Sequence, residues 1–223
     1  MDKMLDITGM KTLVFDCDGV VLDSNRVKTE AFYQVALPYG EAAAQAFVAY
    51  HTANGGISRY KKFAHFLSEI VPALAELSTG PTLDEMLADY AAKVRHSLLT
   101  CDVAVGLHEL RQQTEQARWL IVSGGDQAEL RDVFAERGLA GLFDGGIFGS
   151  PDTKDTILTR ELGNGNIRQP ALFLGDSKYD HQAASAAGLD FIFLSGWSEV
   201  KDSEQWCQAN NLRAVDNLRA LIS

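Results

Sequence analysis

The stretch FDCDGVVLDS, Phe15–Ser24, ends the first apolar run of the chain on charge: Asp16, Asp18 and Asp23 follow TLVF at once. The run reads as a short strand, Lys11–Asp16. Side chains two apart in an extended chain point the same way, so Asp16 and Asp18 face one site if the extension persists. If the chain coils instead, Asp18 still has a backbone carbonyl to offer a cation. Two neighbouring carboxylates repel, and an intervening divalent metal lets both stay ionised. One can then act as nucleophile while the other moves a proton.

Beyond Ser24 the texture is helical. Val27, Ala31, Phe32 and Val35 recur at helical spacing until Pro38. Further helices are expected at Ala42–His51, Ser58–Ile70 and Leu83–Leu99, separated by Gly55-Gly56 and Thr79-Gly80-Pro81. From residue 103 helices and apolar strands alternate. Strands are expected at 117–124, 145–150, 171–176 and 191–196, with a last short one at Ala214-Val215. Helices are expected at Gly106–Gln116, Gln127–Arg137, Lys154–Leu162, Asp180–Ala187 and Ser203–Ala209. This alternation predicts an α/β fold: a Rossmann-like parallel sheet covered by helices on both faces. The helical block reads as an inserted cap, residues 24–100, on a core of 1–23 and 101–223.

Ligands of open parallel sheets bind beyond the carboxyl ends of the strands. There the sequence places Asp16 and Asp18, then Ser123 with Gly124-Gly125, then Lys154, then Asp176 and Asp180. Carboxylate oxygens suit Mg²⁺. A lysine, a hydroxyl and free backbone amides suit phosphate oxygens.

These motifs resemble those of the haloacid dehalogenase-like hydrolase superfamily: DCDGVVLDS at 16–24, VSGG at 122–125, Lys154, and GDSKYD at 175–180. The helical insertion resembles the small cap of the phosphoglycolate phosphatase and beta-phosphoglucomutase branch. The resemblance implies Asp16 as nucleophile and metal ligand. It implies Asp18 as general acid/base whose backbone carbonyl meets Mg²⁺. Ser123 and the Gly124 amide become the phosphate clamp, and Lys154 neutralises nucleophile and phosphate. Asp176 is the direct metal ligand and Asp180 a support for it or for Lys154. Dehalogenases and phosphonate-cleaving members generally lack the second acid, so Asp18 implies phosphate-ester chemistry. Gly175 resembles the phosphatases, because mutases often carry an extra acid there.

In the cap, GGISRYKKF at 55–63 supplies Arg59, Lys61 and Lys62, which read as a charged helix face. Its SR turn resembles that of sugar-phosphate mutases, which makes Arg59 a candidate clamp for a distal anionic group. Asn25, Arg26 and Lys28 follow the hinge at the cleft, although mutases often have a histidine near position 28. Asp23 and Ser24 read as hinge and helix N-cap. Cys17 reads as packing. The five histidines (51, 65, 96, 108 and 181) show no metal spacing and read as surface or boundary residues.

The 223-residue chain carries a formal net charge of -10, a poor match for nucleic acid or an anionic membrane. No apolar run is long enough to span a bilayer, and the N-terminus lacks the apolar core of a signal peptide. Cys17, Cys101 and Cys207 are few and scattered, as expected of reduced cytoplasmic thiols. The expectation is a cytoplasmic, Mg²⁺-dependent phosphatase of a small phosphorylated metabolite, acting through an aspartyl-phosphate, as a monomer or homodimer. The rivals are a sugar-phosphate mutase and a non-catalytic binding module on the same fold.

Overall fold

Every residue of β1 (Thr12–Phe15) is buried, as a strand covered on both faces requires. The computed structural model describes residues 7–76 and 79–222. It sets β1 inside a parallel sheet with β2 (Arg118–Asp126), β3 (Gly146–Ser150), β4 (Ala171–Gly175), β5 (Asp190–Leu194) and β6 (Arg213–Val215). The order is β3-β2-β1-β4-β5-β6. The chain winds outward from β1 in both directions, which opens a crevice at the carboxyl ends of β1, β2 and β4. Successive residues serve opposite faces: Leu13 and Phe15 join one apolar cluster, and Val14 joins the other.

Between β1 and β2 lie the cap helices α1 (Asn25–Ala36), α2 (Glu41–Ala53), α3 (Arg59–His65), α4 (Val71–Leu74) and α5 (Leu83–Thr100). Phe32 is their hub, with ring centroids 5.3 Å from Phe47, 5.2 Å from Phe63 and 4.4 Å from Tyr90. The helix expected over Ser58–Ile70 is divided. It passes through a wide turn at Phe66–Ile70 before α4 begins. Pro72 has no N–H to continue the α ladder, and the Val71 N–H reaches back to Phe66.

The sheet is completed by α6 (Leu107–Gln113), α7 (Gln127–Glu136), α8 (Lys154–Gly163), α9 (Lys178–Ala186) and α10 (Ser203–Ala209). α6 ends short of the expected Gln116. There the Thr114 hydroxyl donates to Leu110 O and accepts from Trp119 Nε1. α9 starts two residues before the expected Asp180, because Ser177 and Asp180 form a capping box around its first turn.

Two segments cross where the cap meets the sheet. Leu22 pairs antiparallel with Val103, and Asp23 N donates to Asp102 O at 3.0 Å. No helix among the described residues is long and apolar enough to cross a membrane.

Candidate active site

Register brings the motifs together. Phe15 lies opposite Ile121 on β2 and Leu174 on β4, so Asp16, Val122 and Gly175 follow at one edge. After Asp16 the chain coils: Val21 N and Leu22 N both donate to Cys17 O, and Gly19 N donates to Leu22 O. Asp16 and Asp18 are therefore not successive teeth of one extended strand. Gly19 is required at this turn. Its φ is +75°, and a Cβ there would sit 2.2 Å from Asp176 Oδ2. Cys17 packs into the core, as expected.

Lys154 opens α8, where the helix dipole disfavours a cation. It is 1% exposed and lies 2.9 Å from Asp16 Oδ2, with Asp180 Oδ1 as its second carboxylate partner. Burial opposes its charge, but the two carboxylates more than offset this and raise its pKa. Asp180 Oδ2 accepts from Asp176 N, Ser177 N and Ser177 Oγ. Both Asp180 oxygens are thus engaged, which makes it a support that orients Lys154 and the Asp176 segment. Asn25 Nδ2 donates to Asp176 Oδ2 at 2.7 Å and to Trp197 O at 2.9 Å, which ties the start of α1 to the core.

Asp16, Asp176 and Asp180 present carboxylate oxygens within 4.8 Å of one another, all buried. One lysine cannot neutralise three such groups. Burial, then neighbouring carboxylates, push Asp16 up to about 7 and Asp176 well above its usual range. An all-oxygen, over-negative cluster of this kind fits a hard divalent cation such as Mg²⁺, with Asp16 and Asp176 as carboxylate ligands.

This has a measurable consequence. Asp16 titrates at 3.8 when unperturbed and at about 7 when folded without metal. In that window the folded chain binds more protons than the unfolded one, so this group's contribution to stability falls as pH rises. A cation that replaces the proton reverses the loss. Added Mg²⁺ should therefore raise Tm more near about pH 8 than near about pH 5. Equal shifts at both pH values would contradict a metal site built on Asp16.

Asp18 turns toward the cap. Lys28 Nζ lies 2.6 Å from both its oxygens, and Ser24 Oγ donates to Oδ1 at 2.5 Å. Burial would raise its pKa, but Lys28 and Ser24 lower it below the usual value. Ser24 occupies the N-cap position of α1 but makes no side-chain cap bond; its hydroxyl donates to Asp18.

The cap rests on the core. A Cβ on Gly124 would meet Gly56 O at 2.2 Å, so the β2 end and the cap's double glycine touch backbone to backbone. Arg59 Nη2 bonds Glu129 Oε2 at 2.7 Å, and Tyr60 OH bonds Asp126 Oδ2 at 2.7 Å. Across the cleft, Thr29 donates to Glu199 Oε2 at 2.7 Å. Beneath these contacts is a cavity of about 80 Å³, bordered by Asp16, Asp18, Asn25, Lys28, Arg59 and Gly124 among others. Ser123 is fully enclosed at the strand end, and its hydroxyl accepts from Gly125 N at 3.0 Å. Gly124→Ala should hold the cap ajar and reduce turnover about 10²-fold with little change in Tm, since displacement by an ångström misaligns reacting groups. Wild-type turnover in this variant would show that the glycine contact plays no part in closure.

A family model for haloacid dehalogenase-like hydrolases matches residues 10–188. The chain belongs to that family. No curated protein matches it. Among solved structures it is similar to a predicted phosphoglycolate phosphatase from Haemophilus somnus 129PT. The TM-score is 0.66 at 18% identity, over 83% of this chain and 85% of that one. It is similar to a family IA, variant 3 hydrolase from Entamoeba histolytica, with TM-score 0.69, 14% identity and 95% of each chain covered. It is also similar to a Thermotoga maritima protein provisionally named beta-phosphoglucomutase. There the TM-score is 0.62 at 16% identity, over 92% of this chain and 94% of that one. At such identities these likenesses establish the fold shared across haloacid dehalogenase-like hydrolases and leave the substrate open.

Three sequence expectations for the cap change. Arg59 and Lys62 are buried and border the cavity rather than forming a solvated helix face; only Lys61 is exposed. His51, expected at the surface or a boundary, is buried on α2 between Lys62 and Thr29. The signal was present: Ala43, Ala44, Phe47 and His51 share one helix face, as do Arg59, Lys62, Phe63 and Phe66 along α3 and the wide turn. Glu129, Glu199 and Trp197 carried no sequence signal, because they matter only through the cap that lands on them.

Proposed function

We propose that this chain is a Mg²⁺-dependent phosphomonoester hydrolase that acts on a small phosphorylated metabolite through an aspartyl-phosphate on Asp16. The observation that carries the reading is the buried Lys154 bridging Asp16 and Asp180, with Asp176 alongside, and Asp16, Asp18 and Asp176 bordering one cavity.

Mg²⁺, when bound by Asp16, Asp176 and the Asp18 carbonyl, supplies the positive charge that lets a carboxylate approach a phosphate dianion. Asp16 attacks phosphorus. Lys154, the Ser123 hydroxyl and the Gly124 amide hold charge on the equatorial oxygens. Asp18 gives a proton to the departing alkoxide, then takes one from the water that cleaves the aspartyl-phosphate. Lys28 favours the ionised form of Asp18, the form needed for that second half. It must loosen its hold before Asp18 can carry the first proton. The cap, resting on Gly124 through Gly56, excludes bulk water, and Asn25, Lys28 and Arg59 border the leaving group.

Hydrolysis is favoured over a sugar-phosphate mutase by two positions. Lys28, not a histidine, faces Asp18. Gly175 has no room for an acid, because a Cβ there would meet the Asp180 Cβ at 2.4 Å. Phosphate release from a panel of phosphorylated metabolites, with Mg²⁺ and with EDTA, tests the reading. Isomer formation without net phosphate release would make it a mutase, and release that survives EDTA would end the Mg²⁺-dependent reading.

A further inference from the structure

The four acids of the cleft are not partnered alike. Asp18 faces Lys28, while Asp16 and Asp180 face Lys154. Among the described residues no cation forms an ion pair with Asp176. Its carboxylate is met instead by a neutral amide: Asn25 Nδ2 donates to Oδ2 at 2.7 Å. The same nitrogen donates to Trp197 O at 2.9 Å, so both of its N–H groups are used. Two acceptors fix which way the amide points. A neutral donor orients a carboxylate without cancelling its charge, whereas an ammonium in that place would compete with a metal ion for it.

The backbone leaves room for this bond. A Cβ on Gly19 would lie 2.2 Å from Asp176 Oδ2 and 2.3 Å from Asn25 Nδ2, so a side chain in the coil after Asp16 would part the two. The loop after β5 closes around both partners. Ser198 Oγ donates to Asp176 O at 2.6 Å and accepts from Val200 N at 3.2 Å. One turn along α1 from Asn25, Thr29 donates to Glu199 Oε2 at 2.7 Å and lies 3.0 Å from His51 Nε2. Three consecutive core residues, Trp197, Ser198 and Glu199, thus hold the Asp176 segment and one face of the first cap helix together.

We infer that Asn25 is a positioning residue for the metal ligand Asp176, and that with the 197–199 loop it couples cation binding to the seating of the cap. This rests on the metal site of the proposed function and on none of its phosphate chemistry.

Lifting the cap breaks the Thr29–Glu199 bond and draws Asn25 from its two acceptors, which frees the Asp176 carboxylate to turn. A cation that needs Asp176 in its held orientation therefore favours the seated cap. By reciprocity, seating the cap tightens the cation by the same factor. Asn25 borders the cavity, but its N–H groups are spent on Asp176 and Trp197, which leaves only Oδ1 to face a substrate. Its effect falls on the metal before it falls on the leaving group.

The test uses the full chain with Mg²⁺ as the only ligand. In calorimetric titration, Asn25→Ala should weaken Mg²⁺ binding by about 10-fold or more, the scale of losing the group that orients a ligand. Thr29→Val touches none of the four acids and keeps the side-chain shape. It should weaken Mg²⁺ about 3-fold in the wild-type background and not at all in Asn25→Ala, since the coupling is already lost there. Hydrogen exchange read by mass spectrometry supplies the cap's response. Saturating Mg²⁺ should slow exchange over residues 58–62, which dock on Asp126 and Glu129 and include none of the acids. That protection should vanish in Asn25→Ala saturated with Mg²⁺. Unchanged Mg²⁺ affinity in a folded Asn25→Ala overturns the inference, as does protection of 58–62 that persists in it. Should Asn25→Ala fail to fold, Thr29→Val decides, and wild-type Mg²⁺ affinity there overturns it. Wild-type protein that binds no Mg²⁺ removes the metal site and this inference together, whereas tight Mg²⁺ binding indifferent to both substitutions removes the inference alone.

Discussion

Asp16→Asn is expected to lower phosphate release by about 10⁴-fold or more, the scale seen when a covalent nucleophile is lost. The change is nearly isosteric and removes one of three crowded buried carboxylates. Lys154 keeps Asp180 as a partner, so the fold should survive. Relief of carboxylate repulsion should leave the metal-free protein at least as stable as wild type near about pH 8, where Asp16 would otherwise be ionised. The Tm gain on adding Mg²⁺ should shrink with it. The variant thus separates nucleophile from scaffold. Activity above about a tenth of wild type, in a protein that is folded and binds metal, would remove Asp16 from the chemistry.

Lys154→Met is expected to destabilise the protein by about 3–5 kcal/mol, the cost of stranding buried carboxylates whose cation has gone. Asp16 and Asp180 lose their common partner, and Asp176 lies within the same cluster. Without Lys154 the folded-state pKa values of Asp16 and Asp176 rise further, so the penalty grows as pH rises through the range where those two would ionise. Urea unfolding without metal should show the larger deficit near about pH 8 and a smaller one near about pH 5. Mg²⁺ should restore part of the stability but little activity, because the cation facing the transferring phosphate stays missing. A variant as stable as wild type at the higher pH would mean that solvent, not Lys154, compensates these acids.

The carboxyl-end residues were legible in the sequence because their chemistry is local to strand ends. Once β1, β2 and β4 are apolar runs in a parallel sheet, Asp16, Ser123 and Asp176 must emerge at one edge. Lys154 was legible for a related reason: a lysine at the first position of α8 is misplaced for the helix dipole and needs carboxylates nearby. The coil after Asp16 was one of two open conformations, and the ladder bonds to Cys17 O close the choice.

The cap was legible only as helices. Their amphipathic spacing does not reveal which buried face is apolar filling and which borders a cavity. Lys62 and His51 occupy positions that packing periodicity alone would assign to core, and their charge suggested surface.

The sequence by itself determined the α/β class, the inserted helices and the set of acids, lysine and hydroxyl at the sheet edge, because strand and helix periodicity and strand-end position are properties of neighbouring residues. Only the tertiary structure decided that Asp18 turns to Lys28, that Gly56 meets Gly124, and that Lys62 is buried without a counter-ion. Those outcomes depend on where the cap sits over the sheet, and so on contacts between residues tens of positions apart that no local pattern encodes.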